Sequence, residues 1–423
     1  MPVRKLATPL TAAFAVLALL APTGCGLPLR DTQEEITIPP VSVGPAGDLG
    51  PEVRPLSFGP GDKSSPRVSP SGDRVAFVLD GYVVEKPLYT QDFRRRTASD
   101  FGAEGAEWLL DGSLAILGPK EETEGREAKT TPTPSTLFAV WPDDSSDVRK
   151  LIEKVGAVGT VLGNQAFVAT VPTAPTPESP DEPPRSSLEL LWGSEEPATV
   201  YLEGGIKGYV TGLSVSPDGR QAVLAVRRGA EGRRKNRSEV QVYRFSDGLL
   251  RHVARVPKGM EVLGAPQWTY GGIYFVAGKV NDPAKTARGG NPTTYALYRA
   301  SEGSKVPKPV RSVGGDFVPS SISVSPDGSR LAVVGRRNPG SPTNLYILDL
   351  SSDTLEAATT NENMEIKTNP RDFSWSPDGS SVILVARSVL SGPKVYDAPA
   401  KTLSSAFYNL YEVPVGNPSG EGS

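Results

Sequence analysis

The sequence predicts an all-β fold, a seven-bladed β-propeller whose last blade is completed by a strand from the N-terminal side. Short runs rich in Val, Ile, Leu and Tyr recur along the chain, and no segment keeps an apolar period of 3.6 residues for long. Gly (44 residues) and Pro (41 residues) make up about a fifth of the 423 residues, which favours many turns. A turn motif also repeats about every 50 residues, the interval expected for propeller blades of four strands.

The repeated turn is Ser-Pro-Asp-Gly or a close variant, and it lies between two strand-like runs. Its proline sets φ at the second position, and its glycine suits a left-handed conformation at the fourth. Degenerate copies occur at 107–112 and 267–272, and a weaker one occurs at 160–164. The glycines that mark the repeats are Gly72, Gly112, Gly163, Gly219, Gly272, Gly328 and Gly379.

A large apolar residue stands four positions before six of these glycines. These residues are Val68, Trp108, Val215, Trp268, Val324 and Trp375. The weak copy has Gly159 at this position. We predict that the position lies on the innermost strand of each blade and packs between blades.

The last repeat lacks a fourth strand. It supplies inner strand a at 372–376, then b at 382–386 and c at 407–413, and a polar Gly/Ser-rich tail follows. A spare strand precedes the first repeat at Glu52–Phe58. We predict that it pairs beside residues 407–413, since this closure removes an open sheet edge. The propeller is therefore expected to span 52–415, and residues 416–423 are expected to be a disordered tail.

The N-terminus has the order of features of a signal peptide. Arg4 and Lys5 precede an uncharged apolar stretch at 6–21, and small residues lead to Cys25, the only cysteine. Residues 1–24 are therefore predicted to be a signal peptide, with an uncleaved anchor helix as the alternative. The Pro- and Gly-rich residues 25–51 are predicted to form a flexible tether.

The run from Leu20 to Cys25 resembles a bacterial lipobox, with Pro22 where such motifs usually have Leu. The resemblance implies a diacylglyceryl thioether on Cys25. Two acyl chains suffice for stable anchoring, whereas one is marginal. We therefore expect a lipoprotein on the extracytoplasmic face of the cell membrane.

The apolar-Ser-Pro-Asp-Gly pattern, followed by strands such as 344–350, is similar to the TolB-type, WD40-like propeller repeat. It also resembles the propeller part of actinobacterial LpqB-like lipoproteins. The resemblance covers roughly residues 52–415 and implies a propeller in the cell envelope. TolB proteins are expected to have six repeats and an additional N-terminal domain, whereas seven repeats are counted here.

The sequence offers little material for catalysis. His252 is the only histidine and lies in a predicted outer strand, and no Cys/His cluster could hold zinc. Neither a Gly-x-Ser-x-Gly elbow nor a phosphate loop occurs. Turn formation accounts for Asp218, Asp327 and Asp378. No catalytic residue, metal site or cofactor is predicted.

The predicted b–c connections are long, and one of them is strongly basic. Loops of this length often carry function. The basic residues are Arg227, Arg228, Arg233, Arg234, Lys235 and Arg237. They are the predicted binding residues, with anionic lipid headgroups, an acidic envelope protein or a phosphate-bearing wall polymer as partner. A solvated charged hairpin without a ligand is the alternative.

Three functions are compatible with these observations. The first is a tethered propeller that binds an envelope protein or a wall polymer as a monomer. The second is a propeller enzyme, a lyase or glycan-acting hydrolase, with its site at the central channel. The third is a structural lipoprotein. Three or more converging ionisable groups in the channel would favour the enzyme. Nucleic acid is disfavoured because the chain has a net charge of −3.

Overall fold

The protein is described by a computed structural model that covers residues 49–416. Residues 110, 121–133, 142–147, 161–165, 171–184, 192–197, 201–204, 217, 229–236, 280–294, 302–305, 311–315, 362 and 389–406 lie outside the description. All regular secondary structure in the described part is β-strand. Within these described residues no helix has the length and hydropathy of a membrane span.

The strands follow one another through seven repeats of up to four strands. In chain order they are β1 (Arg54–Pro55), β2 (Lys63–Val68), β3 (Arg74–Leu79), β4 (Tyr82–Pro87), β5 (Arg94–Arg95), β6 (Gly105–Trp108), β7 (Leu114–Lys120), β8 (Ser135–Val140), β9 (Val148–Thr160), β10 (Ala166–Thr170), β11 (Arg185–Ser186), β12 (Leu188–Leu191), β13 (Ala198–Val200), β14 (Ile206–Lys207), β15 (Tyr209–Val215), β16 (Gln221–Arg228), β17 (Arg237–Arg244), β18 (Leu250–Arg255), β19 (Glu261–Thr269), β20 (Gly272–Gly278), β21 (Tyr295–Ala300), β22 (Lys308–Pro309), β23 (Val318–Val324), β24 (Arg330–Arg336), β25 (Thr343–Asp349), β26 (Thr354–Ala357), β27 (Met364–Ile366), β28 (Phe373–Trp375), β29 (Ser381–Ser388) and β30 (Asn409–Pro414).

Four blades are simple four-stranded antiparallel sheets. They are β2–β5, β15–β18, β19–β22 and β23–β26, which form blades 1, 4, 5 and 6. Blade 7 contains β28, β29, β30 and β1, and β27 extends its inner edge. In blades 1, 4, 5 and 6 the chain moves outward from the innermost strand through all four strands, and in blade 7 it moves outward through three strands before β1 supplies the fourth. The predicted order a, b, c, d is therefore confirmed for them.

Blades 2 and 3 share a single sheet of seven strands because β9 belongs to both. Its first part pairs with β8, and its second part pairs with β10. Val155 is the residue at which the pairing changes, since it faces both Ser135 and Thr170. Counted by sheet, the described strands thus form six large sheets, and counted by repeat they form seven blades.

The hydrophobic core has the same sevenfold division. The buried apolar residues of the described chain form seven clusters, and each cluster lies between two consecutive blades. The second strand of blade 1 shows why. Val75 and Phe77 pack toward blade 7, whereas Ala76 and Val78 pack toward blade 2. Strand side chains alternate between the faces, so a strand buried on both sides is apolar throughout.

The Ser-Pro-Asp-Gly turns join strands a and b through a fixed set of hydrogen bonds. Ser376 Oγ accepts from the Ser381 N–H at 2.9 Å and donates to Asp378 Oδ1 at 2.6 Å. Ser216 and Ser325 repeat the pattern. The bond from Ser376 lowers the pKa of Asp378. The turn aspartates are engaged inside their turns, as predicted.

The aligned tryptophans connect neighbouring blades by hydrogen bonds as well as by packing. Trp108 Nε1 in blade 2 donates to the Arg67 carbonyl in blade 1 at 2.9 Å. Trp375 Nε1 in blade 7 donates to the Ser323 carbonyl in blade 6 at 3.0 Å. Both acceptors directly precede the aligned valine of their own blade. The aligned tryptophans therefore hold the inner strands of blades 2 and 7 to those of blades 1 and 6.

Gly159 stands at the aligned position of blade 3 because no side chain fits there. A Cβ atom at Gly159 would lie 2.4 Å from the carbonyl oxygen of Leu213 in blade 4. Gly212 has the same role one blade further, where a Cβ would lie 2.4 Å from the Gly264 carbonyl oxygen. The inner strands of blades 3, 4 and 5 thus approach each other too closely for any side chain at these two positions.

The predicted closure by the N-terminal strand is confirmed, although the strand is shorter than expected. Arg54 pairs with Glu412, and Pro55 pairs with Tyr411. Beyond Pro55 the N–H groups of Leu56 and Ser57 both point to the Leu410 carbonyl, at 2.8 and 3.4 Å. Ser57 Oγ accepts from the Leu410 N–H at 2.9 Å. A side chain therefore replaces the backbone as partner, and the regular ladder ends there.

Packing begins before the predicted propeller boundary. Leu49 is fully buried between blades 6 and 7, and its carbonyl accepts from the Thr360 N–H at 3.0 Å. Leu49 and Gly50 are thus buried in the propeller, although they fall within the predicted tether. The residues of the predicted signal peptide, of the predicted tether up to residue 48 and of the predicted tail from 417 lie outside the described residues.

Candidate functional site

A central channel runs between the innermost strands. It encloses a cavity of about 830 Å³. Every blade contributes to its wall, with examples from blades 1 to 7 in Val68, Trp108, Ala157, Leu213, Gln267, Val324 and Trp375. Small-molecule sites usually measure roughly 300–1,000 Å³ and occur in such concave places. The channel is therefore the candidate functional site.

The wall of the channel is electrically one-sided. Its ionisable lining residues, among those described, are Arg67, Glu104, Glu107 and Arg371, and all belong to blades 1, 2 and 7. Blades 3 to 6 contribute glycine, apolar residues and neutral polar groups such as Thr211. A ligand in the channel would therefore meet charge on one side and a neutral surface on the other.

Arg67 organises the charged wall. Its Nε donates to Glu107 Oε1 at 2.7 Å, and its Nη1 donates to the carbonyl oxygens of Pro66 (2.7 Å) and Arg371 (2.9 Å). The side chains of Arg67 and Glu107 are each 16% exposed. Arg67 thereby joins blades 1, 2 and 7 at the lumen. A charged pair that is partly desolvated in this way resists rearrangement.

The residues next to Arg371 are held equally firmly. The Arg371 N–H donates to Asn369 Oδ1 at 3.0 Å. Asp372 is buried, and its Oδ1 accepts from the Ser65 N–H of blade 1 at 3.0 Å. Burial raises the pKa of Asp372. The backbone that carries Arg371 is thus fixed on both sides.

The guanidinium of Arg371, unlike its backbone, is not held by hydrogen bonds from the described residues. It lies against Gly105, with Nη1 3.7 Å from the place that a Cβ of residue 105 would take. Burial lowers the pKa of Arg371, and the carboxylates of Glu107 and Glu104 act in the opposite direction. No hydrogen bond or ion pair to this guanidinium is formed within the described part of the chain.

Of the residues predicted to bind a ligand, those that the structure describes do not line the channel. Arg227 Nη1 lies 3.7 Å from Glu261 Oε2, and Arg228 Nη2 lies 3.1 Å from Glu239 Oε2. Arg237 opposes Arg228 across the β16–β17 pair. Arg233, Arg234 and Lys235 lie outside the described residues, as does most of the length of the predicted b–c loops. Cys25 also lies outside them.

His252 occupies the predicted outer strand, since β18 is the last strand of blade 4. It is exposed, and its Nε2 lies 3.8 Å from Glu239 Oε2. The described residues contain no group of three or more His, Cys, Asp or Glu side chains that could hold a metal ion.

Sequence reasoning did not identify the charged wall of the channel, although a signal for it exists. Arg67 and Glu107 each stand one position before the aligned apolar residue of their repeat. The same position is polar in the other well-aligned repeats, where Ser214, Gln267, Ser323 and Ser374 occur. All of them line the channel. An alternation of polar and apolar residues at the end of strand a therefore marks the lumen side.

No family model matches the chain, and no curated protein matches it. Among solved structures, an oligogalacturonate lyase in complex with manganese has a TM-score of 0.54 and 12% identity, over 87% of this chain and 94% of that one. The oligogalacturonate lyase of Vibrio parahaemolyticus has a TM-score of 0.52 and 12% identity, over 86% and 94%. At this identity the likeness shows the β-propeller fold alone.

TolB, whose repeat the sequence resembles, is among the solved structures that are matched. TolB from Acinetobacter baumannii is also matched, with a TM-score of 0.37 and 14% identity over 83% of this chain and 79% of that one. This score carries no argument about common function.

Proposed function

We propose that the protein is an exported lipoprotein, held at the outer face of the cell membrane by a lipid on Cys25, whose propeller binds a molecule of the cell envelope. The observation that carries the binding role is the cavity of about 830 Å³ between seven inner strands, with its charges on one wall. In this proposal the protein is a monomer. Nucleic acid is not its partner. Its lipid anchor follows the lipobox-like run that ends at Cys25.

The binding role is supported by the pairing of charged groups of the channel wall with other groups of the protein. Arg67 and Glu107 hold three blades together, so they are occupied as structural groups. Asp372 is similarly occupied by the Ser65 N–H. A rigid wall of this kind presents a fixed surface to a ligand, which lowers the entropic cost of binding.

The alternative is a propeller enzyme, a lyase or glycan-acting hydrolase, with its site in the same channel. Arg67, Glu104, Glu107 and Arg371 meet the requirement of this alternative for three or more ionisable groups in the channel, and two of the matched structures are lyases. An acid–base mechanism needs a carboxylate free to exchange protons, whereas Glu107 is paired with Arg67 at 2.7 Å. Turnover of an acidic glycan by the purified protein, lost in Glu107→Gln, would establish the enzyme.

The six basic residues between positions 227 and 237 form a second proposed binding surface. Its proposed partner is an anionic envelope polymer or an acidic protein. Exposed charges act over about 10 Å at 0.1 M salt, so such a contact weakens as salt rises. The channel and the basic residues can be separated experimentally because each can be altered alone.

Capture of envelope components by the purified full chain tests both surfaces. In the Ser323→Trp variant an indole fills part of the channel, and we expect capture to fall at least tenfold at every salt concentration. In the triple variant Arg233→Ala, Arg234→Ala, Lys235→Ala we expect only the salt-sensitive part of capture to disappear. The bound material is quantified by mass spectrometry after washing at low and high salt.

The control for both variants is the thermal melting temperature, which reports whether the propeller still folds. A melting temperature within a few degrees of the parent's shows that the ring is intact. If Ser323→Trp captures as much as the parent, the channel is not the binding site. If the triple variant keeps the parent's salt dependence, the basic residues are only a solvated hairpin.

A further inference from the structure

We propose that Arg371 binds the carboxylate group of a small-molecule ligand inside the central channel. This inference rests on the proposed binding function and adds the chemical class of the ligand. Its starting point is a guanidinium that lines the cavity without a hydrogen-bond partner among the described residues.

The free state of this guanidinium has a definite cause. Its natural partner, Glu107, is held at 2.7 Å by Arg67 Nε, and Arg67 also donates to the Arg371 carbonyl at 2.9 Å. Arg67 therefore engages both the backbone of Arg371 and the carboxylate that most strongly raises the pKa of Arg371. A guanidinium has five N–H donors, and a partly buried one that lacks partners is costly. A ligand that supplies acceptors would remove this cost.

The geometry of arginine favours a planar anion. The guanidinium offers two parallel N–H bonds that match the two oxygens of a carboxylate. Burial, which lowers the pKa of Arg371, also strengthens its attraction to a monoanion in the lumen. The channel has one unpaired cation on its described wall, which suits one negative charge.

A phosphate group fits less well. The carboxylates of Glu104 and Glu107 lie near enough to Arg371 to raise its pKa against the effect of burial. They would repel a dianion about twice as strongly as a monoanion. Phosphate esters carry nearly two charges at neutral pH. Because the wall already holds the carboxylates of Glu104 and Glu107, we expect a ligand with a single negative charge, a carboxylate, to bind in preference to a phosphate.

The rest of the site accommodates an uncharged body. Trp108, Phe373 and Trp375 line the same side of the channel, and the opposite wall is neutral. A cavity of about 830 Å³ admits a ligand larger than a simple anion. The ligand class is thus a small molecule with one carboxylate attached to a neutral ring or chain.

This inference is tested on the full chain with three probes that each carry a phenyl ring: benzoate, benzamide and phenyl phosphate. Benzoate has one negative charge, benzamide has none, and phenyl phosphate has nearly two at neutral pH. Ligand-observed NMR titration with the parent is expected to show a dissociation constant for benzoate at least tenfold below those of benzamide and phenyl phosphate. Competition by acetate is expected to displace benzoate.

Substitution assigns the effect to the side chain. Arg371→Gln is expected to abolish the preference for benzoate, and Arg371→Lys is expected to retain part of it, because the charge stays and the paired donors are lost. Arg336→Gln removes an exposed arginine of blade 6 and serves as the matched control. It is expected to bind benzoate like the parent.

The outcomes divide clearly. If the parent does not prefer benzoate over benzamide, or if Arg371→Gln keeps the preference, the inference is overturned. A parent that prefers phenyl phosphate also overturns it. If the carboxylate preference is absent while Ser323→Trp still loses envelope capture, only the ligand class is wrong and the proposed function stands.

Discussion

Deleting residues 52–58 is expected to destabilise the whole propeller. The segment supplies the outer strand of blade 7, and Val53 and Leu56 are 7% and 3% exposed. Burying an aliphatic side chain of this size contributes about 2 kcal/mol. The loss of two such side chains and their hydrogen bonds is a large part of a typical stability of about 5–15 kcal/mol. We expect the melting temperature to fall by about 10 °C or more.

The measurement is thermal unfolding followed by circular dichroism. A deletion of the same length, residues 417–423, is the control and is expected to melt like the parent. Leu56→Asp, which keeps the strand but buries a charge, should lower the melting temperature in the same direction. A deletion of 52–58 that melts like the control would show that the N-terminal strand does not stabilise the ring.

Cys25→Ala is expected to move the protein from the membrane fraction to the soluble fraction, or to leave it as an unprocessed precursor. The variant cannot receive a thioether, and two acyl chains contribute most of the proposed membrane affinity. Fractionation followed by electrophoresis measures both outcomes. Pro22→Leu restores the leucine that lipoboxes usually carry, and it should stay membrane-bound. If Cys25→Ala fractionates and migrates like the parent, the protein carries no lipid at this residue.

The fold could be predicted from the sequence because its signals are local. The Ser-Pro-Asp-Gly turns lie between strands that are neighbours in sequence, so β25 and β29 occur at the strands predicted for 344–350 and 382–386. Even the closure by the N-terminal strand followed from a missing fourth strand. The fusion of blades 2 and 3 was not foreseen, since β9 passes from one blade to the next without a turn.

The channel site could not be predicted because it depends on contacts between distant repeats. Arg67 meets Glu107, which is 40 residues away, and the Arg371 carbonyl, which is 304 residues away. Only the closed ring brings these residues together. The basic loop, by contrast, is visible in the sequence because its charges are contiguous. Its side chains from 229 to 236 lie outside the described residues, so its role stays a prediction.

The channel charges also illustrate why counting ionisable groups is a weak criterion for catalysis. Four such groups line the lumen, and the enzyme alternative requires three or more. Two of them, Arg67 and Glu107, are used to join blades. What distinguishes a binding group from a structural one is whether its partners are already supplied by the protein, and this criterion singles out Arg371.

Photo-crosslinking from inside the channel in the intact cell envelope tests the central claim most directly. A photoreactive residue at Thr211, on the neutral wall, is compared with one at Glu356, on the exposed outer strand of blade 6. The proposed function predicts a specific adduct from position 211 that Ser323→Trp abolishes, and no such adduct from position 356. Adducts that are equal from both positions, or that persist when the channel is filled, would contradict a propeller that binds its ligand in the central channel.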